Sequence, residues 1–169
     1  MRLGIALPHF NRLSDAESIS AVARSAEALG FDSLWVSDHV IVPADTPFIP
    51  DDMTEPLAVL AYLSAVTERI TLGTGVLVLP YRNTIFTAKF LSSVDVLCHG
   101  RLEVGIGVGR LEGEFDALGV DFASRGAVTD EQIDVFRNLW TTEDSSFSGQ
   151  FHDYERVRFF PKASPDREG

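Results

Sequence analysis

Two adjacent residues that could do proton chemistry, Asp38 and His39, come directly after the short apolar segment 33–37. An imidazole can donate, accept or shuttle a proton near neutral pH. One interpretation makes this pair catalytic; the other makes Asp38 the cap of a turn and His39 a surface loop residue. Adjacent side chains on an extended backbone point to opposite sides, so Asp38 and His39 need not touch each other.

Two glycine-rich stretches also suggest a binding site. In the first, Gly73-Thr74-Gly75-Val76, the glycines let a flat ligand approach the backbone, or they mark a simple bulge in a strand. In the second, Gly105, Gly107 and Gly109 leave one side of a strand without side chains, where a planar ring could lie. Alternatively, the interior at that strand is merely tight. Neither stretch has the spacing of a phosphate-binding P-loop.

The remaining residues whose side chains could do chemistry indicate no second site. The chain has one cysteine and four scattered histidines, so we expect no disulfide and no metal site. His99 lies before the fourth strand, at the opposite edge of the sheet, and His152 is expected to be solvated in a hairpin. Three acidic residues are expected to form a solvated helix start, namely Glu112, Glu114 and Asp116.

Composition restricts the class of partner. The 169 residues carry a formal net charge of −11, which argues against nucleic acid and against an anionic membrane surface, because both need clustered Lys and Arg. No apolar run is long enough to span a bilayer. The single cysteine is typical of a reducing cytoplasm, where we expect the protein to lie. A small molecule is the expected substrate.

The elements that would position these residues repeat one pattern four times: an apolar strand, a turn and an amphipathic helix. Strands are predicted at 3–7, 33–37, 70–79 and 102–106, and helices at 14–29, 55–66, 84–97, 112–118 and 130–140. Capping boxes are predicted to begin two helices, at Ser14 with Glu17 and at Thr129 with Gln132. A β-hairpin follows at 145–148 and 152–159. The domain is predicted to cover residues 1–160, with a frayed tail at 161–169.

Repeated strand–helix units predict a parallel sheet, as either an open doubly wound sheet or a (β/α)8 barrel. No G-x-G-x-x-G follows the first strand, which weakens the dinucleotide-binding alternative. A full barrel has eight units, and this chain has four. In such folds the active site lies at the carboxyl ends of the strands. Asp38, His39, Gly75, Gly107 and Gly109 all fall there.

Three longer motifs carry a family resemblance. The stretches G-F-D-S-L-W-V-S-D-H at 30–39, T-E-R-I-T-L-G-T-G-V at 67–76 and G-R-L-E-V-G-I-G-V-G at 100–109 occur in this order. They resemble the signatures of the luciferase-like monooxygenase superfamily, in its deazaflavin-dependent branch. The resemblance continues through Glu114-Phe115 and Leu139-Trp140 to about Lys162. It implies that the chain is the N-terminal half of a TIM (β/α)8 barrel, of about four parallel strands with helices plus a C-terminal β-hairpin.

The resemblance also implies a cofactor, coenzyme F420 or alternatively FMN, whose ring would stack over a bulge at the end of the third strand. That bulge often holds a non-proline cis peptide, which here would join Gly75 and Val76. The cofactor-binding residues would be Asp38, His39, Thr74, Gly75, Val76, Asn83, Gly107 and Gly109. His39 and Asp38 would be catalytic in hydride transfer or monooxygenation. Arg110 stands where some dehydrogenases of this branch carry a catalytic Glu.

Family members continue through four more strands, and their phosphate site usually comes from the loops after strands 7 and 8. We therefore expect either a homodimer of half barrels or pairing with a separate C-terminal half-barrel chain. The alternative to an oxidoreductase is a non-catalytic truncated remnant, or a half-barrel assembly module that lacks the phosphate-binding half of the cofactor site.

Overall fold

Four strands pair side by side in sequence order to form one parallel sheet. The computed structural model describes residues 1–50 and 52–163. Strands β1 (Gly4–Ala6), β2 (Ser33–Val36), β3 (Thr71–Val78) and β4 (Leu102–Gly107) lie in the order β1-β2-β3-β4. All three neighbouring pairs are parallel. The predicted parallel sheet, in the arrangement of a half barrel, is therefore confirmed.

Each strand leads into helical structure that covers one face of the sheet. The helices are α1 (Ala16–Ala28), α2 (Pro56–Val66), α3 (Thr84–Leu97), α4 (Glu112–Leu118) and α5 (Arg125–Thr141). The predicted hairpin follows as β5 (Asp144–Ser148) and β6 (Asp153–Arg158), which pair antiparallel. Apolar side chains on alternate strand residues, such as Leu34 and Leu72, join one buried core with residues of α1, α2, α3 and α5. Burial of this apolar surface drives the helices onto the sheet.

The opposite face of the sheet, which faces the interior in a barrel, carries the indole ring of Trp35. A Cβ atom at Gly73 would lie 2.5 Å from the indole ring, and one at Gly4 would lie 2.6 Å from the indole Nε1. The indole Nε1–H donates to Ser33 Oγ at 2.8 Å. Glycine at positions 4 and 73 therefore makes room for one large aromatic ring that spans β1 to β3.

A bulge interrupts β3 where the glycine-rich motif predicted one. The register with β4 shifts between Thr74 and Leu77, and the Gly75–Val76 peptide bond is cis, as the resemblance implied. The side chain of Val76 turns onto β4, where a Cβ atom at Gly107 would lie 2.5 Å from Val76 Cγ2. The alternating glycines of β4 thus make room for the bulge of the neighbouring strand β3. This packing favours the second interpretation of these glycines, a tight interior.

Two predicted helix starts are wrong, that of α1 by one residue and that of α5 by several residues. Helix α1 is capped by Asp15, whose carboxylate accepts from Ser18 N at 2.9 Å, and not by Ser14 with Glu17. An aspartate offers a stronger acceptor than the neighbouring serine to the free N–H groups of a first turn.

Helix α5 begins at Arg125, so Thr129 and Gln132 lie within it and are buried. The Gln132 amide donates to Thr84 Oγ1 at 2.9 Å, which explains a polar residue that only looked like a cap. Residues 164–169 of the predicted frayed tail lie outside the described residues. Before them, Lys162 Nζ donates to the carbonyls of Leu139 and Thr142 at 2.6 Å each, near the end of α5.

Substitution of Gly107 by alanine tests the packing of the bulge. We expect the free energy of unfolding to fall by about 1–3 kcal/mol, since the added methyl group overlaps Val76 and forces the bulge to move. Urea-induced unfolding followed by circular dichroism measures the change.

The matched control is Gly126→Ala in the first turn of α5, where nothing lies within 4 Å of the added Cβ. This change is expected to leave stability unchanged or to raise it by about 0.4–1 kcal/mol. Equal unfolding midpoints for the two variants would show that Gly107 is not required for the bulge.

Candidate active site

The carboxyl ends of β2, β3 and β4 surround one cavity of about 340 Å³. Parallel strands all end at the same edge of their sheet, so segments far apart in sequence meet there. The cavity is lined by residues that follow β2, by the bulge and end of β3 and by the loop after β4: Ser37, Asp38, His39, Gly75, Val76, Val78, Tyr81, Gly109 and Arg110.

Asp38 forms the floor of this region through a buried ion pair. Its Oδ2 accepts from Val78 N at 2.7 Å, and its two oxygens accept from the guanidinium of Arg82 at 2.6 and 2.7 Å. The same guanidinium donates to Glu55 Oε1 at 2.8 Å. Burial lowers the pKa of Arg82, but Asp38 and Glu55 outweigh it and raise that pKa. Both Asp38 oxygens are therefore engaged in holding the end of β2 against the end of β3.

Glu114, on α4, is the acceptor for four hydrogen-bond donors although its side chain is fully buried. Its Oε2 lies 3.0 Å from His39 Nδ1 and accepts from the Tyr81 hydroxyl at 2.8 Å. Its Oε1 accepts from Val40 N at 2.7 Å and Ile41 N at 3.2 Å. A buried carboxylate needs such donors to replace its lost water.

This arrangement determines which nitrogen of His39 is free for chemistry. An ionised carboxylate can only accept, so in this contact Nδ1 of His39 carries the proton. Nε2 has no hydrogen-bond partner among the described residues, and the side chain is 19% exposed in the cavity wall. A carboxylate that holds one imidazole nitrogen while the other faces a reactant is how acid–base histidines are oriented.

Tyr81 completes the cluster around Glu114. Burial raises the pKa of its phenol, and the hydrogen bond and negative charge of Glu114 raise it further. Its ring packs edge-on against Phe115, with the ring centroids 4.9 Å apart. Tyr81 therefore remains a hydrogen-bond donor over the whole physiological pH range.

A second histidine, His9, joins the end of β1 to two other segments and is fully buried. Its Nδ1 lies 2.8 Å from the carbonyl oxygen of Thr54, and its Nε2 accepts from Ser37 N at 3.0 Å. One nitrogen must donate and the other accept, so the imidazole is neutral. Burial lowers the pKa of His9, against smaller raising effects of the Thr54 carbonyl, Asp38 and Glu55.

The loop between β2 and α2 is held at both ends. Glu114 binds the backbone at Val40 and Ile41. At the other end, Asn11 N donates to Asp52 O at 2.7 Å, and Thr54 N donates to His9 O at 3.0 Å. Between these points, Phe48 is 95% exposed.

The structure brings five of the predicted site residues to the cavity: Asp38, His39, Gly75, Val76 and Gly109. Three others do not line it. Thr74 is buried and donates through Oγ1 to Gly105 O at 2.8 Å. Gly107 lies beneath Val76, and Asn83 caps α3 by accepting from Phe86 N at 3.0 Å.

Two acid–base residues were misjudged from the sequence. Glu114 was expected to be solvated with Glu112 and Asp116, but it is the partner of His39. The signal that could have identified it is its place in the Glu114-Phe115 motif, whose phenylalanine is also fully buried.

His152, also expected to be solvated, has a side chain that is 17% exposed; its Nδ1 lies 2.8 Å from Glu131 Oε1 and its Nε2 lies 2.6 Å from Thr84 Oγ1. It docks the hairpin on α3 and α5. His99 is exposed.

Within residues 1–50 and 52–163, no group of three or more His, Cys, Asp or Glu side chains could hold a metal ion. Over the same ranges, no helix is both long enough and apolar enough to cross a bilayer.

Comparison with known proteins identifies the class of protein to which this chain belongs. The family model of luciferase-like monooxygenases matches residues 1–167, and the chain therefore belongs to the luciferase-like monooxygenase family. An uncharacterized protein of Mycobacterium tuberculosis is 31% identical over 153 residues, which cover 83% of this chain and 53% of that protein. The F420-dependent glucose-6-phosphate dehydrogenase of Amycolatopsis mediterranei is 31% identical over 144 residues, covering 81% of this chain and 41% of the enzyme.

Solved structures agree on the fold. The monooxygenase RslO1 from Streptomyces bottropensis superimposes with a TM-score of 0.81 at 27% identity, over 96% of this chain and 50% of its own. The oxygenating constituent of 3,6-diketocamphane monooxygenase from Pseudomonas putida, in complex with FMN, gives a TM-score of 0.80 at 18% identity. The match covers 98% of this chain and 48% of that protein. The chain thus spans about half the length of the relatives it matches and corresponds to the N-terminal half of their fold.

The neutral state of His9 predicts how stability depends on pH. Because the pKa of His9 is lowered in the folded chain, the unfolded chain binds the proton more readily. The stabilising contribution is therefore complete above the ordinary value of 6.5 and is lost as the pH falls below it. We expect His9→Gln to lower the free energy of unfolding at pH 7 by about 1–3 kcal/mol and to flatten its slope between pH 7 and 5.

Urea unfolding at a series of pH values measures both effects. His99→Asn, which changes an exposed histidine, is the control and should keep the slope of the unaltered chain. If His9→Gln retains that slope, another group is responsible for it.

Substitution of Glu114 by glutamine tests the hydrogen-bonded cluster around it. The change removes the negative charge that raises the pKa of Tyr81, so we expect that pKa to fall, while burial keeps it above the ordinary 10.0. Ultraviolet difference titration of the phenols measures it, with Tyr81→Phe identifying the Tyr81 signal among the three tyrosines. A Tyr81 titration that does not respond to Glu114→Gln would mean that the two groups are not coupled.

Proposed function

We propose that this chain contributes the proton-transfer residue to the active site of a flavin- or deazaflavin-dependent oxidoreductase that acts on a small organic molecule. The observation that carries the proposal is the imidazole of His39, which Glu114 holds through Nδ1 while Nε2 faces the cavity beside the β3 bulge. Family membership supports it, since characterised relatives are F420-dependent dehydrogenases and monooxygenases. The activity itself stays a proposal, because the chain spans only about half of those relatives.

The residues around the cavity fit a flat aromatic cofactor. A cavity of about 340 Å³ lies within the range of small-molecule sites, roughly 300–1,000 Å³. One wall is the backbone of the bulge, where a Cβ atom at Gly75 would meet nothing closer than 3.8 Å, and Val76 is 42% exposed. Gly75, Val76 and Gly109 would therefore contact the ring, with His39 beside it.

When bound, such a cofactor supplies the hydride or oxygen chemistry, and the protein supplies orientation and proton transfer. His39 Nε2 would accept the proton of a substrate hydroxyl or, when it carries a proton itself, give that proton to a substrate carbonyl oxygen, because Nδ1 is committed to Glu114. Asp38, although expected to be catalytic, has both oxygens bound to Arg82 and Val78. We propose that it positions the end of β2 and so orients His39.

Coenzyme F420 is our first choice of cofactor and FMN the alternative. The choice rests on the Asp38-His39 end of β2, which resembles the deazaflavin branch, and on a relative that is 31% identical and F420-dependent. FMN is supported by a solved structure of the same fold that contains it.

A second candidate is a half-barrel module that is inactive alone. The edge strands β1 and β4 each pair with one neighbour only among the described residues. Such edges pair readily with further strands. We propose that a second half barrel, either a copy of this chain or a separate C-terminal half, covers them.

Titration of F420 and of FMN into the full chain tests the proposed function. We expect quenching of Trp35 fluorescence and saturable binding, because the indole lies against the same strands as the cavity. The control variant is His99→Asn, which should bind equally. His39→Ala should bind the cofactor but lose about 10²–10⁴-fold in turnover of any substrate found.

Repeating the titration with and without a second half barrel, whose association is followed by light scattering, separates the two candidates. Binding by the chain alone, or only after a second half barrel is added, supports the oxidoreductase. No binding of either cofactor up to about 1 mM, with or without such a partner, would rule it out; that limit corresponds to about −4 kcal/mol.

A further inference from the structure

Arg110, directly after the turn that ends β4, is the one charged side chain lining the cavity that has no ion-pair or hydrogen-bond partner among the described residues. The other charges there are neutralised locally. Asp38 is paired with Arg82, and Glu114 behind the wall is bound by four donors. The cavity of this acidic chain, whose net charge is −11, therefore exposes an uncompensated cation.

The backbone before Arg110 is constrained to present it at the cavity. Gly109 adopts a φ of +79°, which residues with a Cβ rarely adopt. A Cβ there would also lie 2.7 Å from the Phe115 ring and 2.9 Å from Val78. Glycine is thus required for the turn that leads from β4 to the cavity mouth, and the turn is anchored on a buried aromatic residue.

We propose that Arg110 recognises an anionic group of the substrate, so that the substrate class is a small organic alcohol or carbonyl compound carrying a carboxylate or a phosphate. A guanidinium presents a planar fork of donors that binds either group with two parallel hydrogen bonds. His39 and Arg110 line the same cavity, so one molecule can contact both, its reacting oxygen on His39 and its anion on Arg110.

This inference rests on the proposed function for the role of His39, but the anion site itself does not need the cofactor. A positive group inside a cleft concentrates anions at that point, while the negative net charge of the protein repels them elsewhere on the surface. The anion would also fix the direction in which an otherwise small substrate lies in the cavity. Specificity for anionic over neutral alcohols is the expected consequence.

The test uses the full chain and two probes, inorganic phosphate and acetate, followed by nuclear magnetic resonance of the His39 imidazole and the arginine side chains. We expect both anions to shift the Arg110 and His39 signals saturably. Arg110→Gln should weaken binding by about tenfold or more. The matched control, Arg24→Gln, removes a charge that is also exposed, on α1, and should change nothing.

A third probe, FMN, separates substrate from cofactor as the source of the anion, because it carries both the ring and a phosphate. Its affinity, and that of riboflavin, which has the ring but no phosphate, should be the same for Arg110→Gln as for the unaltered chain. Weaker binding of FMN but not of riboflavin in that variant would assign Arg110 to the cofactor phosphate, weaker binding of both would assign it to the ring, and either result would overturn the proposal. Equal losses of anion binding in Arg110→Gln and Arg24→Gln would also overturn it, as would no binding of either anion.

Anion binding at Arg110 without any flavin or deazaflavin binding would support the anion site while contradicting the proposed oxidoreductase. The two failures are therefore distinguishable.

Discussion

A single buried carboxylate, that of Glu114, holds together three segments that are distant in sequence. It reaches from α4 to His39 and the following backbone amides, and to Tyr81 after β3. Removing such a group leaves several buried donors without a partner, a cost that greatly exceeds the net gain of one hydrogen bond. The loop after β2, the imidazole orientation and the position of the Tyr81 turn all depend on this one side chain.

The Asp38–Arg82 ion pair stabilises the same region by joining the end of β2 to the end of β3. It is bidentate and buried, and it shares its guanidinium with Glu55 at the start of α2. The β3 bulge, which packs on Gly107, forms another wall of the cavity. Two buried charge clusters and one steric fit thus shape a cavity in which His39 Nε2 and Arg110 lack partners within the described residues. Rigid support with a few free polar groups is what sites for proton transfer need.

Much of the fold could be predicted because it depends on local pattern. The helix over 84–97 and the short helix over 112–118 have the predicted bounds, since apolar spacing and flanking turn residues specify them. The starts of α1 and α5 were wrong because Ser14 and Thr129 have the composition of a cap without its geometry. Local sequence does not reveal which of several candidate oxygens reaches a free N–H.

The site was predictable only in part, for a different reason. Asp38 and His39 could be located because strand ends are visible in the sequence. Their partners could not, since Glu114 is 75 residues from His39 and looks like a surface residue of an acidic helix start. Long-range pairing of buried polar groups follows from packing, and a single sequence does not contain it.

The loop between β2 and α2 is fastened at residues 40–41 and again at 52–54, while the stretch between carries an almost fully exposed Phe48. Length and composition between the two fastenings are therefore free to vary at little thermodynamic cost. Evolution can rebuild this loop while the contacts of Glu114 and His9 at its two ends stay fixed. One scaffold can in this way carry loops of many lengths and compositions.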